Sequence, residues 1–486
     1  MQNNIGIISF GTYVPTMRLQ RKAIADAVGW ATPGLQALAS GSRAVANWDE
    51  DAITMAVEAG RHCLDGFERA SVGTVTLAST TLPFADRSNS GIAVDALNLN
   101  ENVGNADSSG SRRAASSALI RAMNVSGQDK NTLLLAADCR EAKPGSVQEL
   151  TYGHAAAALL LGKNDPIAVP IASASIHRDL VDQFRSRESS FDYALEQRWV
   201  RDEGYFKIVP DAIKHVLEMT TLQPADIHHF ALAGPVSVAG ALAKKLQFDN
   251  ANVTNPLHDE IGDSGVTQPI MLLSSALARA KPGENILLVG FGQGVDVLIF
   301  QATDKITQSQ AQQKFNQSIQ IKNTDDNYIR YLVLRQQLDL DYGIRAERDN
   351  RTALSTFYRK RDAITGFIGG RCTSCGMLQF PKTPVCVRCD ETDTQAPESL
   401  AELTGKVKSF TEDWLAYTPC PPLIYGNVTF PDGANVMMEF TDFSIGELAV
   451  NQTVRMAFRI KDFDNKRNFR RYFWKPAPHT DTGGKR

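Results

Sequence analysis

The sequence predicts an α/β protein made of two similar halves, followed by a zinc ribbon and a small β-barrel. Over residues 1–304, short apolar runs alternate with helical patterns, as they do in βα units. A weak internal repeat links NTLLLAADCREAKPG and YGHAAAALLLG to the later NILLVGFGQGVDVLIF, which also has a Gly-rich turn entering an apolar strand. We therefore expect a duplicated fold rather than a single doubly wound sheet.

Individual elements of this first region can be assigned from periodicity. Helices are predicted at RRAASSALIRAMN (112–124) and TQPIMLLSSALARA (267–280), which are apolar on one face. Strands are predicted at IGIISFG (5–11), VTLAST (75–80), TLLLAAD (132–138), HFALAGP (229–235) and NILLVGFG (285–292). The pattern implies buried parallel strands with helices on both sides.

The composition changes after residue 304. DKITQSQAQQKFNQSIQIKNTDDN has few large apolar residues, so we expect a linker or a solvated helix rather than core. The following YIRYLVLRQQLDLDYGIRAERDN and STFYRKRDA are typical of an amphipathic helical arm. The predicted domains are an α/β domain (1–304), a linker and arm (305–365), a zinc ribbon (366–395) and a small β-barrel (396–486).

Four of the seven cysteines lie in GFIGGRCTSCGMLQFPKTPVCVRC. Two Cys-x-x-Cys pairs place four thiolates within reach of one tetrahedral shell at about 2.3 Å, which suits Zn²⁺. A knuckle that has lost its metal, an iron site and a redox role are the alternatives. A closed four-thiolate site stabilises a small module and leaves no position for a substrate. We therefore predict a structural zinc ion held by Cys372, Cys375, Cys386 and Cys389.

Residues 400–475 contain five short β-like segments separated by turn residues, which predict a small barrel. They are GKVKSFTEDW, LIYGNVTF, NVMMEFTDF, TVRMAFRI and RRYFWKP. The stretch KDFDNKRNFRRYFWKP interleaves basic and aromatic side chains, which could bind nucleic acid or the phosphates of a CoA arm. A final barrel strand with a basic edge is the preferred interpretation.

Charge and hydropathy exclude several classes of protein. The net charge is -3 at pH 7 and the pI is about 6.3, so nothing attracts the chain as a whole to nucleic acid or to an anionic membrane. Apolar runs fall short of the ~18 residues that a membrane span needs. MQNNIGIISFGTYVP lacks the features of a signal peptide. We expect a cytoplasmic protein.

Several stretches resemble a known superfamily in their order and spacing. They are SALIRAM, AKPGSVQELTYGHAAAALLLG, RDEGYFKIVPDAIKHVL and IGDSGVTQPIMLLSSALARAKPGENILLVGFGQGVD. On these, residues 1–304 resemble the thiolase superfamily, nearest the 3-hydroxy-3-methylglutaryl-CoA synthase and ketoacyl synthase III branch. The tail from about residue 340 resembles zinc-ribbon plus OB-fold proteins that accompany such enzymes in acyl-transferring and steroid side-chain-cleaving complexes. The resemblance implies a five-layered αβαβα fold, an acyl-CoA substrate and a homodimer.

The resemblance also locates the positions where that superfamily carries its catalytic groups. The family uses a cysteine nucleophile at a helix N-terminus, a histidine, and a glutamate or an asparagine. The cysteine position falls on Arg112 in DSSGSRRAASSAL, and the histidine position on Ala233 or Val236. The glutamate position falls near Thr80 and the asparagine position on Asp263. We therefore expect that the acyl-cysteine mechanism is lost.

Other side chains could supply replacement chemistry. His258 and Asp263 could form an acid/base pair, and Arg112 could bind a carboxylate, a phosphate or an enolate oxygen. His154 stands where related sequences usually have aspartate, and Cys139 follows the strand TLLLAAD. Each has a plain alternative: an unpaired surface histidine, an outward-facing arginine, a structural substitution or a packing cysteine.

Two further groups are candidate ligand contacts. Gly262, Gly265, Gly292 and Gly294 permit close backbone approach, and in the resembling enzymes such loops line the acyl-CoA tunnel. Lys244 and Lys245 lie where related synthases place basic residues near the CoA phosphates, although a solvated helix face explains them equally well. The glycines lack the spacing of a dinucleotide-binding motif.

The expected function is that of a CoA-thioester enzyme that makes or breaks a carbon–carbon bond, with aldol or retro-aldol chemistry. Zn²⁺ would be structural, and coenzyme A would be part of the substrate. The alternative is a non-catalytic acyl-CoA-binding scaffold whose zinc/OB module docks a partner thiolase or acyltransferase. A nucleic-acid-binding OB protein is a third, less favoured, interpretation.

Overall fold

The computed structural model describes residues 5–124, 129–249, 251–308, 311–345, 351 and 353–479. The chain divides into two compact units. The first unit contains Met1–Ala46, Asp51–Val94 and Leu99–Tyr328, and the second contains Asn47–Glu50, Asp95–Asn98 and Ile329–Arg486. Two short segments of the N-terminal half therefore belong to the C-terminal unit.

The strands of the first unit carry the apolar runs of the sequence, and the five strands predicted there are confirmed. Most side chains of the central strands are fully buried, as their hydrophobic composition requires. The strands are β1 (Gly6–Tyr13), β2 (Met17–Gln20), β3 (Ser42–Ala44), β4 (Val72–Ala78), β5 (Gly104–Ser108), β6 (Asn131–Asp138), β7 (Ala155–Gly162), β8 (Ala168–His177), β9 (Gln183–Phe184), β10 (Tyr193–Ala194), β11 (Ile227–Leu232), β12 (Asn252–Val253), β13 (Asn285–Phe291), β14 (Gly294–Ala302) and β15 (Asn323–Asp325).

The helices of the chain include both predicted ones, now α4 and α9. They are α1 (Arg21–Val28), α2 (Ala52–Cys63), α3 (Asn89–Ala96), α4 (Ala114–Asn124), α5 (Val147–Thr151), α6 (Gln197–Trp199), α7 (Val209–Glu218), α8 (Val236–Lys245), α9 (Gln268–Leu277), α10 (Ala311–Gln320), α11 (Tyr328–Leu334), α12 (Leu354–Arg359) and α13 (Arg361–Ile364). A π-helical segment, Val200–Ile208, joins α6 to α7. Over the described ranges, no helix is both long and apolar enough to cross a bilayer.

The large sheet of the first unit confirms the predicted duplication. Its order is β12-β11-β13-β14-β8-β1-β7-β6-β4-β5. Counted along the chain, each half places its strands in the order third, second, fourth, fifth, first. The parallel and antiparallel pairings also match between the halves. The two first strands meet where Ile7 pairs with Ala168, so one half repeats the other.

The expected buried parallel strands are present, but each half is a mixed sheet. β7 runs antiparallel to β6, and β14 runs antiparallel to β13. Only two residues separate β13 from β14, and so short a connection can join only antiparallel strands. The Gly-rich turns that mark the repeat in the sequence are these sharp reversals.

The segment after residue 304 departs from the expected linker. Ile306 and Phe315 are buried in the main core, and the Ser318 hydroxyl lies 2.9 Å from that of Thr12. β15 then pairs in parallel with β2. The few apolar side chains of this polar stretch lie on one helix face and pack against the core. The overall polar composition therefore led us to expect less burial than the segment has. Residues up to Tyr328 consequently belong to the first unit.

The second unit contains the cysteine motif and the five C-terminal strands that the sequence predicted. A three-stranded sheet has the order β17-β16-β18, and a five-stranded antiparallel sheet has the order β21-β20-β19-β22-β23. The strands are β16 (Ile368–Cys372), β17 (Leu378–Gln379), β18 (Gln395–Ser399), β19 (Gly405–Asp413), β20 (Leu423–Thr429), β21 (Asn435–Glu439), β22 (Thr453–Asp464) and β23 (Phe469–Pro478). A buried Phe367 packs against Phe380, Phe430, Phe473 and Trp474, so one aromatic core serves both sheets.

The segment Asn47–Glu50 supplies two buried carboxylates to the second unit. The Asp49 carboxylate accepts a hydrogen bond from Lys475 at 2.9 Å, and Glu50 lies 3.3 Å from the guanidinium of Arg459. Both cations are almost fully buried on the last two strands. Because an unpaired buried charge is costly, these strands depend on carboxylates that come from a remote part of the sequence.

We predict that Asp49→Asn lowers the free energy of unfolding of the second unit by about 3 kcal/mol, because it leaves the Lys475 ammonium without its nearest counter-ion. Urea unfolding followed by tryptophan fluorescence measures the change. Glu391→Gln, at an exposed carboxylate of the same unit, is the matched control and should have no measurable effect. Equal stability of the two variants would contradict the proposed dependence.

Candidate active site

The start of α4 is anchored by Arg113 and the fully buried Asp296. The Arg113 guanidinium donates to the Gly292 carbonyl oxygen at 3.0 Å and to Asp296 Oδ1 at 2.8 Å. The hydroxyls of Ser116 and Ser117 also donate to Asp296. This network fixes the helix start against the turn between β13 and β14. Arg112, one residue earlier, is thereby held in a defined place.

Gly292 explains why that turn contains glycine. A Cβ atom at this position would lie 3.0 Å from the Cβ of Arg112 and 3.2 Å from the backbone nitrogen of Arg113. A side chain at this position would require the start of α4 to shift. The glycine of the GFGQG turn therefore allows the turn to approach the start of α4.

The Arg112 side chain forms an ion pair with Asp263, which lies on the turn before α9. The two side chains are 19% and 20% exposed. Burial alone would raise the pKa of the Asp263 carboxyl, but the positive charges of Arg112 and Arg140 hold it well below its ordinary value. Burial opposes the charge on Arg112, yet the field of Asp263 raises its pKa. Both groups are charged, and together they are neutral.

His258 lies beside this pair, with its Nε2 atom buried and without a hydrogen-bond partner. Burial lowers the pKa of His258, and the positive charge of Arg112 adds to that effect while Asp263 opposes it. The preceding residue, Leu257, has a φ of 59°, a left-handed conformation that a branched side chain rarely adopts. Because its pKa is lowered, the His258 imidazole is neutral at pH 7. Its Nε2 atom, which has no hydrogen-bond partner, lies next to the ion pair.

Tyr205 lies in the π-helical segment and reaches the same region. Its hydroxyl donates to the Ala233 carbonyl oxygen at 3.1 Å, and its ring stacks on Phe291 with centroids 4.2 Å apart. Burial raises the pKa of Tyr205. Ala233 is one of the two positions that the resemblance assigned to histidine. The buried phenol of Tyr205 therefore contacts the backbone at that position. π-Helical segments are rare in proteins, but those that occur are often found at functional sites.

A polar hairpin formed by β9 and β10 contacts Arg140, whose charge acts on Asp263. Its Asp192 accepts from the buried Arg140 at 3.0 Å, and its Arg185 donates to the Thr80 carbonyl oxygen. Arg140 also donates to the Tyr152 hydroxyl at 2.5 Å. The hairpin is thus attached at two places to loops that follow strands of the first half.

His154 and Cys139 are predicted site residues with structural partners. The His154 Nδ1 atom accepts from the Ala46 backbone at 2.9 Å, and its Nε2 atom lies 3.1 Å from the Arg140 carbonyl oxygen. The Cys139 sulfur lies 3.5 Å from His154 Nδ1. Because both ring nitrogens are engaged by the backbone, the geometry favours the structural interpretation of this pair.

The predicted ligand contacts are also explained by local packing. Lys244 and Lys245 are exposed in the last turn of α8, where positive charge is favourable to the helix dipole. Atoms of this chain lie within about 3 Å of where a Cβ would stand at each of the four candidate glycines, Gly262, Gly265, Gly292 and Gly294. A role for either group in binding CoA stays a prediction.

The four cysteines of the second unit are brought together as predicted. Their sulfur atoms all lie within 4.8 Å of one another, with 3.7 Å between Cys372 and Cys389 and 3.6 Å between Cys375 and Cys386. Four sulfurs at about 2.3 Å from one zinc ion would be separated by roughly 3.8 Å. Gly376, which follows the first pair, has a φ of 73°, as a tight knuckle turn requires. The arrangement fits a four-thiolate metal ion.

Sequence reasoning missed several members of the site. Tyr205 lies inside RDEGYFKIVPDAIKHVL, a stretch that carried the resemblance, but nothing in its spacing singled out the tyrosine. The hairpin residues Arg185 and Asp192 lie in a charged stretch without periodicity, which gives no signal of where its side chains point. Only the fold brings them to Thr80 and Arg140.

Comparison with known proteins agrees with this architecture. Residues 366–395 match the family described as ChsH2, rubredoxin-like zinc ribbon domain. A solved hydroxymethylglutaryl-CoA synthase in complex with CoA matches with a TM-score of 0.57 at 16% identity, covering 72% of this chain and 95% of that one. 3-Oxoacyl-(acyl carrier protein) synthase III of Pseudomonas aeruginosa matches with a TM-score of 0.56 at 18% identity, covering 62% and 98%. The first unit therefore has the thiolase-like fold, and the second contains a zinc ribbon.

Sequence similarity defines the family more narrowly. The hydroxymethylglutaryl-CoA synthase of Methanocella arvoryzae is 30% identical over 318 residues, which span 63% of this chain and 90% of that protein. The chain belongs to the hydroxymethylglutaryl-CoA synthase family. It is accordingly related to CoA-thioester condensing enzymes of the thiolase superfamily.

We predict that Asp263→Asn lowers stability at pH 7 by about 2 kcal/mol, because Arg112 loses its partner. A carboxyl with a depressed folded-state pKa stabilises above its unfolded pKa of about 3.9, and this contribution is lost as pH falls further. The difference between wild type and variant should therefore be constant above about pH 5 and shrink below pH 4.

Thermal unfolding across pH 2.5–8 measures this difference. Asp259→Asn is the matched control, because Asp259 lies in the same loop but its side chain is 89% exposed. Its effect should be small at every pH. A difference for Asp263→Asn that does not change below pH 4 would contradict the proposed ion pair.

We predict one zinc ion per chain, measured by inductively coupled plasma mass spectrometry on protein purified without added metal. Cys375→Ser should lose the metal and lower the melting temperature of the second unit, because a structural zinc site contributes directly to folding. Cys420→Ser, outside the cluster, is the control and should keep the full zinc content. Stoichiometric iron in place of zinc would overturn the assignment.

Proposed function

We propose that the first unit is a CoA-thioester enzyme that cleaves or forms a carbon–carbon bond by aldol chemistry, without an acyl-cysteine intermediate. The observation that carries this proposal is the arrangement of Arg112, Asp263 and His258. A fixed guanidinium lies at a helix start, and a neutral imidazole with a free Nε2 lies beside it. Aldol cleavage needs a base and enolate stabilisation but no nucleophile.

The proposed substrate is a β-hydroxyacyl-CoA ester. His258 Nε2 accepts the proton of the β-hydroxyl group while the Cα–Cβ bond breaks. Its electron pair moves into the thioester and forms an enolate, and the β-carbon becomes the carbonyl of a released aldehyde or ketone. The enolate gains a proton at Cα to give a shortened acyl-CoA, so atoms and charge balance.

Arg112 is proposed to stabilise the enolate oxygen. One of its terminal nitrogens contacts Asp263, and a guanidinium has further N–H donors for a second acceptor. The N-terminus of α4 adds partial positive charge at the same place. Asp263 keeps Arg112 in position and cancels its charge in the resting state. Arg112 thus takes an electrostatic role at the position where the resemblance places a nucleophile.

A panel of β-hydroxyacyl-CoA esters tests the proposal, with the shortened acyl-CoA detected by liquid chromatography and mass spectrometry. We expect cleavage of at least one ester, and we expect Arg112→Ala to reduce kcat/KM by about 100-fold or more, as loss of an oxyanion donor does. Arg121→Ala, at an exposed arginine of the same helix, is the matched control and should retain activity.

Two outcomes would contradict this mechanism. Incubation with acetyl-CoA followed by intact-mass measurement should show no acetyl adduct, and a stable adduct would restore an acyl-enzyme route. Absence of cleavage across the panel, together with tight binding of a partner chain, would favour the scaffold alternative. Exposed Trp414, Leu415 and Tyr417 on the loop after β19 support that alternative, since exposed aromatic side chains are common at interfaces.

We also propose that the protein is a homodimer and that the zinc ribbon and the five-stranded sheet form an accessory module. β5 supports the dimer, because it is an edge strand of the large sheet and four of its five residues are exposed. An open edge offers unpaired backbone groups to a second strand. The closed set of four thiolates supports a structural role for the module, since it leaves no coordination position for a substrate.

A further inference from the structure

The phenol of Tyr205 connects the ends of two strands of the second half, β11 and β13. The residue is 5% exposed, and its hydroxyl donates at 3.1 Å to the carbonyl oxygen of Ala233, the residue after β11. Its ring stacks on that of Phe291, the last residue of β13, with centroids 4.2 Å apart. One buried side chain therefore contacts both strand ends.

Two glycines allow backbone to pack directly on these rings. A Cβ at Gly234 would lie 2.8 Å from the Cε1, Cζ and Oη atoms of Tyr205. A Cβ at Gly204 would lie 2.6 Å from Cζ of Phe291 and 3.0 Å from Cδ2 of Leu180. Interiors packed this closely leave little freedom for a ring to move. The stacked pair is therefore held from both sides.

The π-helical segment Val200–Ile208 determines where the Tyr205 side chain points. Hydrogen bonds in a π-helix run from residue i to i+5 rather than to i+4, so its side chains lie at different angles about the axis from those of an α-helix. α7 continues at once from Val209, and its buried apolar residues belong to the same hydrophobic cluster as Tyr205. The segment thus directs Tyr205 to Phe291 while α7 keeps its own apolar face on the core.

Phe291 leads directly into the turn that approaches Arg112. The carbonyl oxygen of the next residue, Gly292, accepts from the Ser111 hydroxyl at 2.9 Å and from Arg113 Nε at 3.0 Å. A Cβ at Gly292 would lie 3.0 Å from the Cβ of Arg112. The residues on both sides of Arg112 are therefore bonded to one carbonyl group, which follows the ring that Tyr205 holds.

We propose that Tyr205 is a positioning residue for Arg112, and its catalytic consequence rests on the proposed aldol cleavage. Tyr205 fixes Phe291 and the Gly292 carbonyl group, and that group fixes the chain on either side of Arg112. In this role Tyr205 transfers no proton and touches no substrate. It keeps the guanidinium in contact with Asp263 and at the place where the enolate oxygen forms. Small displacements of a catalytic group lower the rate strongly, so such support is required.

The ion pair at the start of α4 does not replace this support. The Asp296 carboxylate, on β14, accepts from Arg113, Ser116 and Ser117. These contacts fix the helix against β14. The turn that approaches Arg112 is held instead through Gly292 and the Phe291 ring that precedes it.

A double-mutant cycle tests the positioning without any substrate. Asp263→Asn should raise the unfolding equilibrium constant of the first unit by about 30-fold at pH 7, because Arg112 loses its partner. In a Tyr205→Leu background the same change should have less than about a fivefold effect, since Arg112 is no longer held against Asp263. Tyr205→Phe keeps the ring and loses only the hydroxyl contact, so it should give an intermediate value. Urea unfolding of the full chain, followed by circular dichroism, measures these constants.

Phe248→Leu is the matched control for loss of a buried aromatic ring. Phe248 is 3% exposed, belongs to the same hydrophobic cluster and packs on Phe230. In this background Asp263→Asn should keep its full effect. An equal effect of Asp263→Asn in the wild-type, Tyr205→Leu and Tyr205→Phe backgrounds would overturn the inference. If Tyr205→Leu does not fold, a full effect in the Tyr205→Phe background overturns it.

Cleavage of the β-hydroxyacyl-CoA panel adds a catalytic readout. Tyr205→Leu should lower kcat by about tenfold or more and leave KM within about threefold, because Arg112 acts on the transition state. Tyr205→Phe should recover part of the loss. Unchanged kcat in folded Tyr205→Leu would overturn the inference alone. Wild-type protein that cleaves no ester would overturn the proposed function, and the double-mutant cycle would still decide whether Tyr205 positions Arg112.

Discussion

The ion pair between Arg112 and Asp263 determines the electrostatics of the candidate site. Each charge would be costly in this half-buried place without the other, and together they leave no net charge. The two charges act in opposite directions on the neighbouring His258, whose pKa is lowered mainly by burial. A cysteine at position 112 could not neutralise the Asp263 carboxylate as Arg112 does.

Duplication of the fold explains why these two side chains meet. α4 follows β5, the third strand of the first half, and α9 follows β12, the third strand of the second half. The Arg112 and Asp263 turns precede these equivalent helices, so the repeat places them side by side although 151 residues separate them. The site is therefore a product of the internal symmetry, and the two halves contribute opposite charges to it.

The sequence could predict what periodicity and spacing encode. The buried strands, α4, α9 and the four cysteines followed from local patterns, and the family resemblance pointed to Arg112 and Asp263. Tyr205 could not be predicted as a member of the candidate site, because a π-helical segment has no periodic signature. The role of Asp49 could not be predicted for another reason: its partner Lys475 lies 426 residues away, and no local pattern indicates it.

The polar groups of the two units differ in how completely they are satisfied. In the second unit, the sulfur atoms of four cysteines lie at distances that fit a closed shell around one metal ion. Such a site stabilises the fold and has no open position for a substrate. In the first unit, by contrast, the buried Nε2 atom of the neutral His258 has no hydrogen-bond partner. Natural interiors satisfy nearly all buried polar groups, and exceptions concentrate where a ligand supplies the missing partner. The free ring nitrogen of His258, rather than the cysteines, is therefore the feature on which the proposed substrate site rests.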